Sequence, residues 1–170
     1  KATDVDGDTL TYTIASAAKN GTVLVNKDGS YSYTPNANFN GKDSFTYTVT
    51  DGIETITKTA NVTVASVNDV PVSKNSTISG TEDTVVSGKL EAATDADSDA
   101  LTYAIATGAA NGQVVIGKDG SYSYTPNANF NGKDTFTYTI NDGKGGVITQ
   151  TATVNVAAVN DAPVSANSII

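Results

Sequence analysis

The sequence predicts an all-β protein that consists of two tandem antiparallel β-sandwiches. Three observations support this fold class: one block of residues occurs twice, apolar residues alternate with polar ones in short runs, and turn-forming residues separate the runs. No segment shows the apolar period of a helix. Short alternating strands with turn signals at intervals of about 8–12 residues are typical of sandwich folds.

A long internal repeat predicts the domain organisation. The 17 residues at 27–43 recur letter for letter at 118–134, a shift of 91 (118 − 27 = 91), and residues 1–52 match residues 92–143 at 37 of 52 positions without a gap. A repeat of this length can hold its own hydrophobic core, so it predicts domains in series and not turns of a solenoid. We expect a first repeat at 1–67 that lacks its opening strands, a complete repeat at 68–159, and the start of a third at 160–170.

The strands of the first repeat follow from apolar residues at every second position. Leu10, Tyr12 and Ile14 share one face of the first strand. The pair Asp28-Gly29 favours a hairpin turn, because glycine accepts a positive φ, and Pro35 ends the returning strand because it cannot donate to the ladder. The predicted strands are residues 9–15, a short run with Val23 and Val25, residues 30–34, a run with Phe45, Tyr47 and Val49, and residues 56–67.

The second repeat has the same strands and two more ahead of them. Residues 70–79 and 84–90 have no counterpart in the first repeat, which is therefore expected to expose an unpaired sheet edge. The tail at 160–170 begins another such opening strand, and we expect it either to project freely or to add to the open edge of a neighbouring molecule. The remaining predicted strands are residues 101–106, 113–116, 121–125, 134–141 and 148–159.

The composition excludes several functional classes. The chain contains no cysteine and no histidine, which rules out disulfides, thiolate or histidine metal sites and a histidine general base. Its net charge of −8 and pI near 4.2 disfavour nucleic acid and anionic lipid but suit hard cations. No apolar run approaches the roughly 18–20 residues of a membrane span. We expect no enzymatic activity, no nucleic-acid partner and no membrane insertion, and we interpret the chain, which has no methionine, as a piece of a longer protein.

Two acidic loops are the candidate functional sites. Asp4-Val5-Asp6-Gly7-Asp8 and Asp95-Ala96-Asp97-Ser98-Asp99 each place three carboxylates at alternate positions. In a curved loop these groups can converge on one cation, whereas in a straight strand they would line one face and repel each other. An EF-hand does not fit, because its twelfth position requires Glu and the chain offers Ala15 and Ala106. The alternative is a solvated loop without a ligand.

A series of short motifs follows one another in a fixed order along the second repeat. They are Asn68-Asp69-Val70-Pro71, Thr81-Glu82-Asp83-Thr84, the loop at 95–99, Asn111-Gly112, the block at 119–132 and Asp142-Gly143. The order of these motifs resembles the bacterial Ig-like, cadherin-like repeat family, which is related to the VCBS-type repeats of large secreted adhesins. The resemblance covers nearly all of both repeats, and it implies a cadherin-like sandwich, serial repetition, secretion to the bacterial surface and a role as a spacer in an adhesin stalk.

The same resemblance implies calcium as the cofactor, bound at the repeat junctions. Its best site would combine the linker before the second repeat with acids of that repeat, and the Asp-Arg-Glu element of true cadherins is missing, with Asp43 near its place. The implied ligands are Asn68, Asp69, Asp95, Asp97, Asp142 and Glu82, with Asp4, Asp6 and Asp51 in the first repeat and Asn160 and Asp161 in the exit linker.

Two other functions remain open at the level of sequence. The tyrosines could form a sugar-stacking platform of a carbohydrate- or protein-binding module, although their alternation favours core packing. A calcium-free spacer is the third possibility. The expected partners are neighbouring repeats of the same chain and homophilic or strand-exchanged neighbours, and the expected location is the extracellular surface. Paired carboxylates can serve a glycosidase, but a site repeated in each copy and tied to a linker is a poor place for one.

Overall fold

A computed structural model describes residues 2–163, and within them every regular element is a β-strand. The chain divides into two compact units, Lys1–Val67 and Asn68–Ile170. The predicted all-β class with two tandem sandwiches is confirmed. The predicted third repeat at 160–170, and with it the exchange of that tail between molecules, lies outside the described residues from position 164 onward.

Unit 1 contains five strands in two sheets. Strands β1, β4 and β5 form a sheet in the order β1-β4-β5, and β2 pairs with β3. The predicted hairpin turn is confirmed, since Gly29 has a φ of 85° and Val25 lies opposite Tyr31 across the turn. The strands are β1 Thr11–Ser16, β2 Gly21–Val25, β3 Tyr31–Pro35, β4 Gly41–Thr50 and β5 Thr55–Val64.

Unit 2, as far as residue 163, contains the same five strands and two more. Its larger sheet has the order β6-β12-β11-β8 and its smaller sheet the order β7-β10-β9. The opening strands β6 and β7 lie at the outer edges of β12 and β10. The strands are β6 Ser76–Thr81, β7 Val86–Lys89, β8 Thr102–Thr107, β9 Gly112–Ile116, β10 Ser121–Pro126, β11 Gly132–Asn141 and β12 Val147–Ala157.

Three details of the predicted strands are wrong. The strand expected at 70–79 begins at Ser76, because Pro71 has no N–H for the ladder and Val72 makes only an isolated bridge with Thr94. The strand expected to reach residue 67 ends at Val64. Finally β6 pairs with β12 in parallel, with Ser76 opposite Ala152, so the larger sheet is not wholly antiparallel. Alternation in a sequence does not specify the direction of the partner strand.

The core of unit 2 is closed, and that of unit 1 is more open. Tyr124 and Tyr138 are 0% exposed in unit 2, whereas their repeat counterparts Tyr33 and Tyr47 are only half-buried. In unit 2 the opening strands contribute Ile78, and Leu90 follows directly after β7. The tyrosines of unit 2 therefore serve core packing, which speaks against the sugar-stacking alternative there.

Candidate metal centre

The loop at 95–99 is curved, and its curvature gathers three carboxylates. Asp95 Oδ1 accepts hydrogen bonds from the backbone N–H groups of Asp97 at 2.9 Å and Asp99 at 3.2 Å. Ser98 takes a left-handed conformation with a φ of 64°, which turns the chain back on itself. One oxygen from each of Asp95, Asp97 and Asp99 lies within 4.8 Å of the other two. The loop therefore has the convergent arrangement of carboxylates that a cation requires. It does not have the straight-strand arrangement, in which the three carboxylates would line one face.

One oxygen of this cluster is buried without a partner. Asp95 Oδ2 is shielded from solvent and has no hydrogen-bond donor within the described part of the chain. A buried carboxylate oxygen without a donor or counter-ion is costly, because it loses its hydration and gains nothing in return. A hard cation supplies the missing partner, and carboxylate oxygens are the ligands that calcium prefers. The residues therefore fit a calcium ion.

The linker residues at the start of unit 2 contact the acids of that unit. The N–H of Asp69 donates to Asp97 Oδ2 at 2.8 Å, and the Asn68 side-chain amide donates to Asp142 Oδ2 at 2.8 Å. Asn141 pairs with Thr102, so Asp142 lies at the same end of the sheet as the loop before β8. Four of the five residues predicted for the best site are thus joined in two pairs, and the fifth, Asp95, belongs to the carboxylate cluster.

Asp142 is the most buried acid of this group, at 3% exposure. Besides Asn68, it accepts hydrogen bonds from the N–H groups of Lys144 at 2.7 Å and Gly146 at 2.9 Å. The hydrogen bond from Asn68 lowers the pKa of Asp142 most; burial opposes this, and the backbone donors lower the pKa further. Asp142 therefore stays ionised and accepts the hydrogen bond from the Asn68 side chain.

Glu82 lies at the opposite end of the larger sheet. Thr81 pairs with Ala157, whereas Asn141 pairs with Val147, ten residues earlier on β12 (157 − 147 = 10), which corresponds to roughly 33 Å. Glu82 is 4% exposed and accepts from the N–H of Val159 at 2.6 Å and from Asn131 at 3.1 Å. It is therefore not brought together with Asp95 and Asp97.

Glu82 lies instead beside the residues that lead into the exit linker. Its partner Val159 directly precedes Asn160 and Asp161, which are both exposed. The Asn160 side chain donates to the carbonyl of its neighbour Asp161 at 3.2 Å. The predicted exit-linker ligands are thus placed at the end of unit 2 that contains Glu82.

In unit 1 the corresponding loop has the same backbone but a looser set of carboxylates. Asp4 Oδ1 accepts from the N–H groups of Asp6 at 2.9 Å and Asp8 at 3.1 Å, as Asp95 does in unit 2. Asp6 and Asp8 are exposed, and within residues 2–163 these acids do not form a gathered group like that at 95–99.

Asp51, the third ligand predicted in unit 1, is engaged by its own turn. Its carboxylate accepts from the N–H groups of Ile53 and Glu54, both at 2.7 Å. These two bonds lower its pKa. The structure does not join Asp51 to Asp4 or Asp6 by a hydrogen bond among the contacts of the described residues.

The suggestion of Asp43 as a further ligand is not supported, because this side chain is part of the internal packing of unit 1. It accepts four hydrogen bonds, including one from the Tyr33 hydroxyl at 2.9 Å and one from the Asn20 N–H at 2.8 Å. Its counterpart Asp134 does the same for Tyr124 and Asn111. The sequence contained an indication of this structural role. Asp43 and Asp134 both end the identical block, and each follows the same tyrosine and the same Asn-Gly turn.

Asp99 is the residue that the predicted ligand set omitted. It stands in the acidic loop, but the resemblance to cadherins transfers only the first two acids of that loop. The structure places an oxygen of Asp99 in the same group as those of Asp95 and Asp97. The sequence could have identified Asp99 as a ligand, because it is the third of three acids at alternate positions in the loop.

A pair of sandwiches with acids and linker residues gathered at one sheet end defines the class of tandem cadherin-like repeats. The bacterial cadherin-like domain family matches residues 1–66 and 68–158, so the chain belongs to this family. Its fold is the cadherin-like β-sandwich of that family. Among curated proteins, none matches the chain.

Two solved structures of cadherin domains share this fold. Domains EC1-2 of human protocadherin-24 align with a TM-score of 0.59 at 18% identity, over 94% of this chain and 87% of theirs. Domains 1-4 of protocadherin Gamma B7 align with a TM-score of 0.56 at 20% identity, over 88% of this chain and 42% of theirs. An endo-fucoidan hydrolase of glycoside hydrolase family 107 aligns at 26% identity with a TM-score of 0.42, over 91% of this chain but 24% of its own.

Between residues 2 and 163 there is no helix with the length and apolarity needed to cross a bilayer.

Proposed function

We propose that this chain is a pair of structural repeats from an extracellular bacterial adhesin, and that calcium stiffens them by fixing the segment that leads into a repeat. The observation that carries the proposal is Asp95 Oδ2, which is buried without a partner inside a group of three carboxylates. The membership of the bacterial cadherin-like family supports the role as a repeat in an adhesion protein.

Asp95, Asp97 and Asp99 would hold the ion, with Asp142 and Asn68 beside them. Calcium would supply positive charge that cancels the repulsion among the three carboxylates, and extracellular sites of this type have dissociation constants of roughly 10⁻⁴–10⁻³ M. Because Asp97 also accepts from the N–H of Asp69, ordering Asp97 orders the linker. Because Asp142 accepts from Asn68, the linker is held at a second point.

The mechanical consequence is a switch from a loose to a fixed entry segment. Without a cation, three carboxylates within 4.8 Å repel one another and favour conformations in which the loop opens. An open loop releases Asp97 from Asp69 and lets the linker move. With the cation bound, the direction in which the chain enters the repeat is fixed, which is the property a spacer in a stalk needs.

The test is thermal unfolding in calcium and in EDTA. Calcium at about 2 mM should raise the Tm of the wild type, because it binds the folded state only. The double variant Asp95→Asn and Asp97→Asn should lose this shift. Glu54→Gln with Glu91→Gln is a charge-matched control at two exposed acids outside the cluster, and it should keep the shift.

Two results would reject the calcium proposal. One is an equal Tm in calcium and EDTA for the wild type, which would leave a calcium-free spacer. The other is the same calcium shift in the Asp95 and Asp97 double variant as in the control, which would place the ion elsewhere.

A further inference from the structure

The first and last strands of unit 2 lie side by side and run parallel. The chain enters this unit through the linker that begins at Asn68 and continues into β6, and it leaves the sandwich from β12. Six residue pairs join the two strands in register, from Ser76 opposite Ala152 to Thr81 opposite Ala157. The overlap is roughly 20 Å long, at about 3.3 Å per residue.

This arrangement determines how tension along the chain acts on the fold. A pull on the linker draws β6 back towards its own start, and a pull on the residues after β12 draws β12 towards its end. Because the strands are parallel, these two directions are opposite, and the strands are forced to slide past each other. The evenly spaced bonds of the parallel ladder are then strained together. Two antiparallel strands pulled at their adjacent ends would instead separate one bond at a time.

Glu82 extends the connection beyond the end of β6. Its N–H donates to the carbonyl of Ala157 at 3.0 Å, and its carboxylate accepts from the N–H of Val159 at 2.6 Å. The Asn131 side chain donates to the same carboxylate at 3.1 Å and holds it in place. Glu82 is 4% exposed, and hydrogen bonds shielded from water are electrostatically stronger than exposed ones. This buried acid, which lies outside the carboxylate cluster, therefore ties the end of β12 to the end of β6.

Other contacts hold the start of β6. The backbone N–H of Thr151 donates to Asn75 Oδ1 at 2.9 Å, just ahead of the regular ladder. The hydroxyls of Ser76 and Tyr138 are 2.9 Å apart inside the core, and Ile78 is 3% exposed. The strand is thus attached both to its neighbour and to the core, and it cannot slide without exposing buried side chains.

We propose that β6 and β12 form the force-transmitting connection of unit 2, with Glu82 as a positioning residue at its exit end. Tension passes directly from one strand to the other, and strands β7–β11 stay outside the force path for as long as the pair holds. The inference rests on the proposed function, because a repeat in a stalk has to transmit tension between its two ends. It does not require calcium, since Asp95, Asp97 and Asp99 belong to neither strand.

The test is single-molecule force spectroscopy of the whole chain in EDTA, with pulling points defined by introduced cysteines. The chain has no cysteine of its own, so two thiols determine where the force is applied. Lys74→Cys with Asn160→Cys pulls β6 and β12 in opposite directions along their lengths. Lys74→Cys with Thr149→Cys applies the force at neighbouring points, because Ser76 lies opposite Ala152. All three replaced residues are exposed.

The pulling points at 74 and 160 should give a rupture force about twofold higher, or more, than those at 74 and 149, because the bonds of the ladder share the load in one case and break in turn in the other. Both measurements use the same pulling speed. Forced unfolding reports the rate of unfolding, so the comparison measures a kinetic barrier along one direction and not the equilibrium stability, which is the same in both geometries apart from the attachment site.

Glu82→Ala tests whether bonds far from residue 74 share the load. The variant should lower the rupture force for pulling at 74 and 160. It should leave the force at 74 and 149 unchanged, because there the bonds nearest the pulling points break first. Thr102→Val is the control, since it removes a 3.3 Å side-chain bond to the carbonyl of Asn141 at the other edge of the same sheet. It should change neither force, and circular dichroism shows whether each variant is folded.

Three outcomes would overturn the proposal. They are equal rupture forces in the two geometries, a higher force for pulling at 74 and 149, and an equal effect of Glu82→Ala in both. If Glu82→Ala does not fold, the comparison of the two geometries decides alone. All forces are measured in EDTA, so a failure of the calcium proposal leaves this result intact, and equal forces would leave the calcium-dependent Tm shift intact.

Discussion

The backbone N–H of Asp69 donates a 2.8 Å hydrogen bond to Oδ2 of Asp97, a residue 28 positions later in the sequence. This bond joins the linker to the acidic loop, so the state of the loop determines the state of the linker. Asp97 also belongs to the group of carboxylates within 4.8 Å of one another. Asp97 therefore has two roles, as the acceptor for the linker and as a charged member of the carboxylate group. An asparagine at this position separates them, because an amide oxygen still accepts a hydrogen bond but carries no charge.

Asp97→Asn should leave the stability of the calcium-free protein unchanged or slightly higher. It removes one of three mutually repelling charges and keeps an acceptor for Asp69. The same variant should lose most of the calcium-dependent rise in Tm. Differential scanning fluorimetry in EDTA and in calcium measures both effects. A fall of several degrees in EDTA would show that the charge of Asp97 stabilises the loop without a metal.

Ser98→Gly should stabilise unit 2 by about 1 kcal/mol, because Ser98 has a φ of 64° and glycine accepts this conformation without a Cβ clash. The first repeat allows the reverse substitution at the equivalent position. Its counterpart Gly7 has a φ of 82° and no atom near an added Cβ, so Gly7→Ser tests the backbone conformation alone and should destabilise unit 1 by a similar amount. Urea denaturation measures both changes, and effects of the same sign at the two positions would contradict this explanation.

Tyr124→Phe should destabilise unit 2 by about 1–3 kcal/mol, because it removes the 2.9 Å hydrogen bond to Asp134 inside a closed core. Tyr33→Phe removes the equivalent 2.9 Å bond to Asp43 in the more open unit 1. Water can replace the lost donor there, so its cost should be smaller. Urea denaturation of the two variants gives the comparison, and an equal loss in both units would count against burial as the cause.

The stability of unit 2 should fall in acid. Burial opposes the charge of Asp134, but hydrogen bonds from Asn111, Thr135, Tyr124 and Ala110 outweigh it and hold the pKa of Asp134 below its usual value. A carboxyl whose pKa is lowered on folding contributes stability that is present above its unfolded pKa, about 3.9, and is lost as the pH falls through the folded value. Unfolding free energies between pH 7 and pH 2 measure this loss.

The control for the acid prediction is Asp134→Asn. This variant should be less stable than the wild type at neutral pH, and its stability should depend less steeply on pH below about 4. The pKa of Asp142 is also lowered, by its bond from Asn68 first, so some dependence should remain. A pH profile identical to that of the wild type would show that Asp134 does not contribute to acid unfolding.

The sequence predicted the position and type of most strands, because alternating residues such as Phe45, Tyr47 and Val49 describe a half-buried strand wherever they occur. It did not predict the parallel pairing of Ser76 with Ala152, since alternation defines the faces of a strand and not its neighbour. It also left Asp43 as a possible metal ligand. That carboxylate is bonded to Asn20 and Tyr33, which only the fold brings next to it.

The sequence alone determined the division into repeats and the positions of the acidic loops, because identity at a fixed shift can be recognised without any knowledge of distances. The tertiary structure decided which acids meet. It placed Asp99 with Asp95 and Asp97 by curving one loop, and it placed Glu82 at the far end of the same sheet. The physical reason is that ligand geometry depends on loop curvature and strand register, which are determined by packing between segments distant in the sequence.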